Sequence, residues 1–253
     1  MILAGKTAIV TGGGSGIGEA IVRLFAAQGA NVMIADWDEQ GAVRITNDLT
    51  SSGHRVAAWK TDVSKSSDVQ TLIQETVERF GSLDVLVNNA AVILPKFLED
   101  VEEEEWDRLH NINLKSVFLT IKYALPLLKE SRGAVVNMAS LNGLIGQKMN
   151  PVYAASKGGV IAFTKALAID YAPVGVRVNC ICPAGVATPL LQQWIQDQAD
   201  PVATIQALND MHPIGRPATS EEIAQAALYL ASSQSGFVTG VALPVDGGAS
   251  LGY

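Results

Sequence analysis

Residues Thr7-Ala-Ile-Val-Thr-Gly-Gly-Gly-Ser-Gly-Ile-Gly18 run from a short apolar stretch, Thr7 to Val10, into a glycine-rich turn, and a stretch of helical period opens directly behind it. Strand, turn and helix in that order are the context in which a backbone cradles a phosphate. Gly12, Gly16 and Gly18 allow a tight turn, close approach of phosphate to backbone, and packing of the helix on the sheet. The helix N-terminus adds free N–H groups and the positive end of its dipole, so a pyrophosphate is expected against Gly12, Ser15, Gly16, Ile17 and Gly18. A plain structural loop uses glycines too; the flanking strand and helix favour the phosphate reading.

Working outward, short apolar runs alternate with longer helical stretches along the whole chain. Strands are expected at 7–10, 31–36, 56–60, 85–88, 134–138, 177–181 and 241–245, and helices near 16–28, 39–51, 66–80, 102–130, 152–172 and 220–231. Ala134-Val-Val-Asn-Met138 does not alternate strictly, as expected for a parallel strand covered on both faces. The fold class is therefore α/β: a doubly wound (Rossmann) parallel sheet of about seven strands with helices on both faces. No linker, repeat or low-complexity tract interrupts the rhythm, so residues 1–253 read as a single domain. The least regular stretch lies between Pro183 and Pro217, with a helix-like segment around Leu190 to Gln198. Ligands of open α/β sheets sit beyond the carboxyl ends of the strands, so residues 184–217 are expected to cover a substrate.

The second strand ends in Asp36, near the position where an acidic residue accepts hydrogen bonds from an adenosine ribose. That carboxylate repels a 2′-phosphate, and neither Trp37 nor Ser15 supplies a cation to hold one. NAD(H) is therefore expected over NADP(H). Asp36 also suits a helix cap in the turn Asp-Trp-Asp-Glu, a role compatible with ribose binding.

Composition bounds the function. The 253 residues are 48% hydrophobic and 17% charged with a net charge of −7, which excludes wholesale disorder and disfavours nucleic acid or an anionic membrane as partner. Residues 223–245 carry no charge over a span long enough to cross a bilayer, but Ser232 to Gly236 divide them, and no span is expected. Met1 to Lys6 has neither a basic start nor a long apolar stretch, so a cytoplasmic location is expected. Cys180 and Cys182 are expected on opposite faces of one strand, without a disulfide, and as strand residues rather than nucleophiles. His54, His110 and His212 share no motif and are read as surface or packing residues, and no metal site is expected. Glu102 to Glu105 reads as a solvated first turn that complements the helix dipole.

Tyr153-Ala-Ala-Ser-Lys157 sets a phenol and an ammonium on one helix face, and Ser140 follows the fifth strand at the sheet edge that carries the glycine turn. Each also has an ordinary reading: Ser140 as a turn cap, Tyr153 as a half-buried helix residue, and Asn113 as a kink or stop in the long helix. Together with the glycine turn, Asp62-Val63, Asn88-Asn-Ala-Ala91, Asn113, Pro183 and Thr188, they resemble the short-chain dehydrogenase/reductase family in its single-domain branch, over nearly the whole chain.

That resemblance implies a catalytic tetrad of Asn113, Ser140, Tyr153 and Lys157. It also implies cofactor contacts at Asp62 and Val63 to adenine, at Asn89 and Ala90 in the cleft, and at Pro183, Val186 and Thr188 to the nicotinamide carboxamide. Lys157 would bind ribose hydroxyls, and the Asn113 backbone would hold a water in a proton relay. Two positions depart from the family pattern: Ala91 replaces a glycine, and Ala184 follows Pro183 with Gly185 only next. Both bear on pocket shape.

The implied chemistry is hydride transfer between nicotinamide and a secondary alcohol or ketone. Tyr153 would be general acid/base, its pKa expected to fall from about 10 toward neutrality beside Lys157. Ser140 would orient the substrate oxygen. The substrate wall is expected from Ser140, Leu141, Asn142, Leu144, Gln147, Asn150, Tyr153, Ala184, Leu190 and Trp194, with Lys96 and Lys148 at its rim. Amides mixed with apolar groups suit a small neutral polyol, sugar, cyclic alcohol or hydroxy-ketone. The alternatives are an NADP(H)-dependent 3-oxoacyl-(acyl carrier protein) reductase and a non-catalytic dinucleotide-sensing scaffold. Resemblance further implies a homotetramer, which would cover the apolar tail Ala242 to Val245 and Leu251-Gly-Tyr253, with Tyr253 approaching a neighbouring subunit's cleft.

Overall fold

β1 (Thr7–Thr11) is buried along its whole length because parallel neighbours flank it on both sides. The computed structural model that shows this describes residues 1–251, with the Leu190 side chain outside the description. The expectation about Tyr253 therefore lies outside the described residues.

From β1 the chain continues through α1 (Gly16–Ala27), β2 (Asn31–Asp36), α2 (Glu39–Ser51), β3 (Val56–Lys60), α3 (Ser66–Phe80) and β4 (Val85–Asn88). The second half holds α4 (Glu103–His110), α5 (Ser116–Ser131), β5 (Ala134–Met138), α6 (Pro151–Tyr171), β6 (Arg177–Pro183), α7 (Pro189–Gln196), α8 (Pro201–Asp210), α9 (Ser220–Ala231) and β7 (Ala242–Val245). The seven strands lie parallel in the order β3-β2-β1-β4-β5-β6-β7. The order reverses between β1 and β4, which opens a crevice at their carboxyl ends.

Alternation along each strand feeds two cores. Val10, Val32 and Ile34 pack with Ile21 and Phe25 of α1 and Ile223 and Leu228 of α9. Ile9, Met33 and Leu86 pack on the other face with Leu72 of α3, Val117 and Leu128 of α5, and Val160 of α6. Each fully buried aliphatic side chain contributes about 1.5–3 kcal/mol. Beneath the carboxyl end of the sheet runs a buried polar ladder. Thr120 donates to Asn88 Oδ1 (2.7 Å), Asn88 Nδ2 to Asn137 Oδ1 (2.9 Å), and Asn137 Nδ2 to Thr164 Oγ1 (2.9 Å). It fixes α5, β4, β5 and α6 in one register, and every buried side-chain polar atom among the described residues has a partner.

Three expectations change. The helix expected over 102–130 is divided by a π turn at Asn111–Lys115. Helix α8 was not expected; its apolar pattern is weak, but Asp200 accepts from Ala203 N (3.0 Å) and Pro201 holds the first position, a start signal visible in the sequence. Cys180 and Cys182 face the same side of the sheet, in one apolar cluster, because residues i and i+2 of a strand share a face. They are free thiols, since two residues along an extended strand span about 6.6 Å, near the limit for a bridge. As expected, residues 223–245 form no single helix: α9 ends at Ala231 and β7 begins at Ala242. The long apolar helix α6, continued by a short turn to Val174, has the length and composition to cross a membrane, but it packs Val152, Val160 and Ile161 into the core.

Candidate active site

At the end of β1 the glycine turn is locked in place before any ligand arrives. Thr11 Oγ1 accepts from Asn89 N (3.0 Å) and Ala90 N (3.1 Å), and Asn89 Nδ2 donates to Thr11 O (3.1 Å) and Gly12 O (3.0 Å). Gly12 has φ +62°, and a Cβ there would stand 2.9 Å from Ala90 Cα. A Cβ on Gly18 would stand 1.9 Å from Gly12 O, so Gly18 serves helix packing and does not line the cleft. Asp38, Thr188, Asp200 and Thr219 cap α2, α7, α8 and α9 with their side chains, whereas Ser15 makes no such bond to α1. The first-turn N–H groups of α1 are thus left for an external anion.

Asp36 Oδ2 accepts from Gly14 N (2.7 Å) and Oδ1 from Asp38 N (2.8 Å), so Asp36 braces the glycine turn while Asp38 does the capping. Trp37 lies beside it, 68% exposed. Next along the wall are Asp62 and buried Val63. Burial raises the Asp62 carboxyl, but the Ser64 hydroxyl and N–H and the Lys65 ammonium outweigh it and hold the group below its ordinary value. The nearby cations are already paired: Lys60 with Glu39 (3.6 Å) and Arg44 with Glu19 (2.7 Å). Among the described residues lining the cleft, the cations are Lys157 and Arg108 of α4, and α4 packs on α6, beyond the crevice from β2.

The catalytic end is built by β5 and α6. Ser140 accepts from Asn142 N (3.2 Å) and so caps the short 3₁₀ turn Leu141–Gly143. That turn sits directly on α6, since a Cβ on Gly143 would stand 2.7 Å from Lys157 C. The capping role and the site role of Ser140 coexist, because its hydroxyl also lies beside Tyr153. Lys157 is only 2% exposed; its Nζ donates to Met138 O (2.8 Å) and lies 5.6 Å from the Tyr153 ring centroid. Burial pulls the Lys157 ammonium down to about 8, with the Cys182 and Cys180 thiols opposing.

The Tyr153 phenol shifts opposite to expectation. Burial pushes it above its ordinary value, and the Ser140 hydroxyl offsets that only in part. Desolvation penalises the phenolate, and the neighbouring lysine, itself buried, does not reverse that by itself.

Asn113 lies in the π turn and is buried, outside the cleft lining. Its Oδ1 accepts from Val92 N (2.8 Å), and its Nδ2 donates to Val92 O (2.9 Å) and Ser156 Oγ (3.3 Å). The side chain therefore ties the segment after β4 to α6, and any relay role rests with its backbone. A π turn shifts the helix register by one residue, a device often found at functional sites.

One cleft of about 1220 Å³ joins these parts. It runs from Gly12, Ser15, Gly16 and Ile17 past Asp36, Asp62 and Asn89 to Ser140, Tyr153 and Lys157, and ends at Pro183, Ala184, Val186 and Thr188. An uncapped helix end, a turn admitting no Cβ and a carboxylate at the tip of β2 fit a dinucleotide. The expected substrate residues Asn142, Gln147, Asn150, Ala184 and Trp194 line the cleft, whereas Leu144 does not. Asn142 Nδ2 donates to Gln147 Oε1 (2.5 Å), as does Asn150 Nδ2 (3.4 Å), so the three amides form one wall.

Sequence reasoning missed Glu104, Asp107 and Arg108, which line the mouth, and Leu208 and Met211 of the covering segment. The i, i+3, i+4 spacing of the α4 residues was the available signal. In the same turn Glu102 and Glu105 form a capping box, and Glu105 holds Lys96 (2.6 Å) away from the expected rim position. Lys148 instead stands 5.8 Å from the Phe97 ring centroid.

Known proteins agree with this geometry. A family model described as Enoyl-(Acyl carrier protein) reductase matches residues 12–250. The chain is 44% identical over 251 residues to an L-fucose dehydrogenase of Bos taurus, covering 99% of this chain and 91% of that one. It is 38% identical to the 3-oxoacyl-[acyl-carrier-protein] reductase FabG of Chlamydia muridarum, covering 98% of each. The crystal structure of levodione reductase superposes with a TM-score of 0.95 at 31% identity, covering 99% of this chain and 100% of that one. With the sheet order, the glycine turn and the Ser140, Tyr153 and Lys157 cluster in place, these matches show that the chain belongs to the short-chain dehydrogenase/reductase family, oxidoreductases that use a nicotinamide cofactor.

Proposed function

We propose that this protein is an NAD(H)-dependent oxidoreductase acting on the secondary alcohol, or the corresponding ketone, of a small neutral polyol, sugar, cyclic alcohol or hydroxy-ketone. The observation that carries the reading is that Asp36 and the Ser140, Tyr153 and Lys157 cluster share one cleft, with no unpaired cation beside Asp36 among the described residues. A carboxylate there accepts from ribose hydroxyls and repels a 2′-phosphate. The amide wall of Asn142, Gln147 and Asn150 offers donors and acceptors to hydroxyl groups, and the 44% identical relative bears the name of a sugar dehydrogenase.

When bound, the cofactor supplies or accepts the hydride at its nicotinamide ring. Tyr153 Oη gives the proton to the carbonyl oxygen in reduction and takes it in oxidation. Its raised pKa keeps the proton on the phenol at neutral pH, so oxidation gains with rising pH and reduction at neutral pH begins from the correct protonation state. Ser140 Oγ orients the substrate oxygen and stabilises charge developing on it. Lys157 Nζ favours the phenolate and reaches ribose hydroxyls, and the Asn113 backbone holds a relay water. Asp62 and Val63 hold the adenine, Asn89 and Ala90 line the cofactor cleft, and Pro183, Val186 and Thr188 hold the carboxamide.

The reading includes a cytoplasmic homotetramer without a membrane partner. The association of subunits is supported by the exposed apolar side chains Ile169 (77%) and Phe237 (105%) and by the partly exposed edge strand β7.

The second reading, an NADP(H)-dependent 3-oxoacyl-(acyl carrier protein) reductase, has the 38% identical relative in its favour and the Asp36 carboxylate against it. The test is NADH and NADPH formation or consumption across polyols, aldoses, cyclic diols, hydroxy-ketones and a 3-oxoacyl thioester, with Tyr153→Phe alongside. Turnover with NAD that drops about 10³-fold or more in the variant, with NADH binding retained, supports the proposal. Preference for NADPH with the thioester overturns it. Equal turnover in Tyr153→Phe would overturn Tyr153 as the acid/base, and NADH binding without turnover of any substrate in the wild type would reduce the protein to a scaffold for the dinucleotide.

A further inference from the structure

His212, just beyond α8, is the most enclosed residue of the covering segment at 2% exposure, although the sequence offered it only a packing role. Its two ring nitrogens meet different main-chain groups. Nδ1 lies 2.6 Å from Leu208 O, and Nε2 lies 3.1 Å from Gly185 N. A carbonyl only accepts and an amide N–H only donates, so the ring is neutral, with its proton on Nδ1 and its Nε2 lone pair on Gly185. The fit is close, since a Cβ on Gly185 would stand 2.9 Å from His212 Cε1.

Backbone bonds from Ala218 N to Gly185 O (2.9 Å) and from Ala187 N to Ala218 O (2.8 Å) hold the same loop from the far end of the segment. Among the described residues, His212 makes the side-chain hydrogen bond between the α8 region and the loop 183–188. Leu208, to which it is bonded, lines the cleft, as do Gly185 and Val186.

We propose that His212 is a positioning residue. By accepting the Gly185 N–H it joins the Pro183–Thr188 loop to the α8 wall and sets the two as one unit beside the nicotinamide ring. It acts through the loop and touches no reacting atom. The proposal rests on the reading of that loop as the nicotinamide-carboxamide site.

Two variants separate the bond from general packing. In His212→Asn an amide takes the place of Nδ1 and keeps the contact to Leu208 O, but it is too short to reach Gly185. In His212→Gln an amide oxygen takes the place of Nε2 and can accept from it. On the protein alone, amide hydrogen exchange of the peptide containing Gly185 is expected to quicken about tenfold in His212→Asn and to return to the wild-type rate in His212→Gln. NADH is expected to bind about tenfold more weakly to His212→Asn, with ADP-ribose, which lacks the nicotinamide, unaffected.

Wild-type exchange in His212→Asn, or no recovery in His212→Gln, overturns the proposed bond. Altered exchange with equal loss of NADH and ADP-ribose affinity instead overturns the assignment of the loop to the nicotinamide.

Discussion

The half of the molecule from β1 to β4 and the covering segment of α7 and α8 face each other across one cleft, but different forces hold them. Ile9, Val10, Val32 and Ile34 are fully enclosed, the glycine turn is cross-tied by Thr11 and Asn89, and neighbouring strands share every ladder bond. Helix α8 has no buried residue, leaves Val202 78% exposed, and contributes to neither apolar core. It is held by its Asp200 cap and by its return limb, in which His212 is the buried contact. The first region is a finished surface lining the cleft, while the second rests on few buried side chains. An enzyme that must admit a substrate and then exclude water needs that asymmetry.

Glycine substitutions test the contrast most severely. Gly18→Ala drives a Cβ to 1.9 Å from a backbone oxygen and is expected to cost more than about 4 kcal/mol in urea unfolding. Gly215→Ala, in the covering segment at φ +87° with nothing within 4 Å, meets only the left-handed backbone penalty of about 1–2 kcal/mol. Similar losses at the two positions would break the comparison.

Lys157→Met should separate stability from function within the rigid region. Lowering a buried lysine to about 8 implies a cost to folding of about 3 kcal/mol at neutral pH. The variant is therefore expected to melt higher than wild type while losing turnover. The sign follows from proton binding. Below pH 8 both folded and unfolded lysine are charged and the cost is complete. Between pH 8 and the ordinary lysine value the folded state releases its proton first, so wild-type stability rises with pH and the gap to the variant closes. A gap that widens with pH would contradict the burial account.

Asp36→Ala removes the brace on Gly14 N and the carboxylate proposed to accept from the ribose. It should shift the NAD-over-NADP preference by about 2 kcal/mol, roughly 30-fold, in paired kcat/KM measurements. An unchanged ratio would mean that selectivity lies elsewhere. The smallest effect is expected at Val202→Ser, within about 0.5 kcal/mol of wild type by chemical denaturation, with α8 amides exchanging well before those of β1 in both proteins. A larger loss would show that α8 is covered by another surface in solution.

Legibility in the sequence followed the same divide. All seven strands lie within two residues of their expected bounds, since a strand buried on both faces must be a continuous apolar run and such runs are plain to read. The glycine turn, Asp36, Ser140, Tyr153 and Lys157 were equally legible, because each role demands one residue type at one spacing. Helix α8 was not: Val202, Ala203, Ile205 and Ala207 are diluted by polar neighbours, and it has little core to face. Glu104 at the cleft mouth read as part of a solvated turn because a charge that faces a cleft and one that faces bulk water look alike in a sequence.

What the sequence determined by itself was the α/β rhythm, the strand positions implied by buried runs and a glycine turn between strand and helix, all set by local rules of period and backbone freedom; the acid/base roles of Ser140, Tyr153 and Lys157 came from the family resemblance. Tertiary structure alone decided which way the Tyr153 and Lys157 pKa values move, that Cys180 and Cys182 pack in one cluster with α6, that Asn113 spends its side chain on Val92, and that His212 reaches Gly185. Desolvation and hydrogen-bond pairing depend on groups brought together from distant parts of the chain, and no spacing along the sequence encodes them.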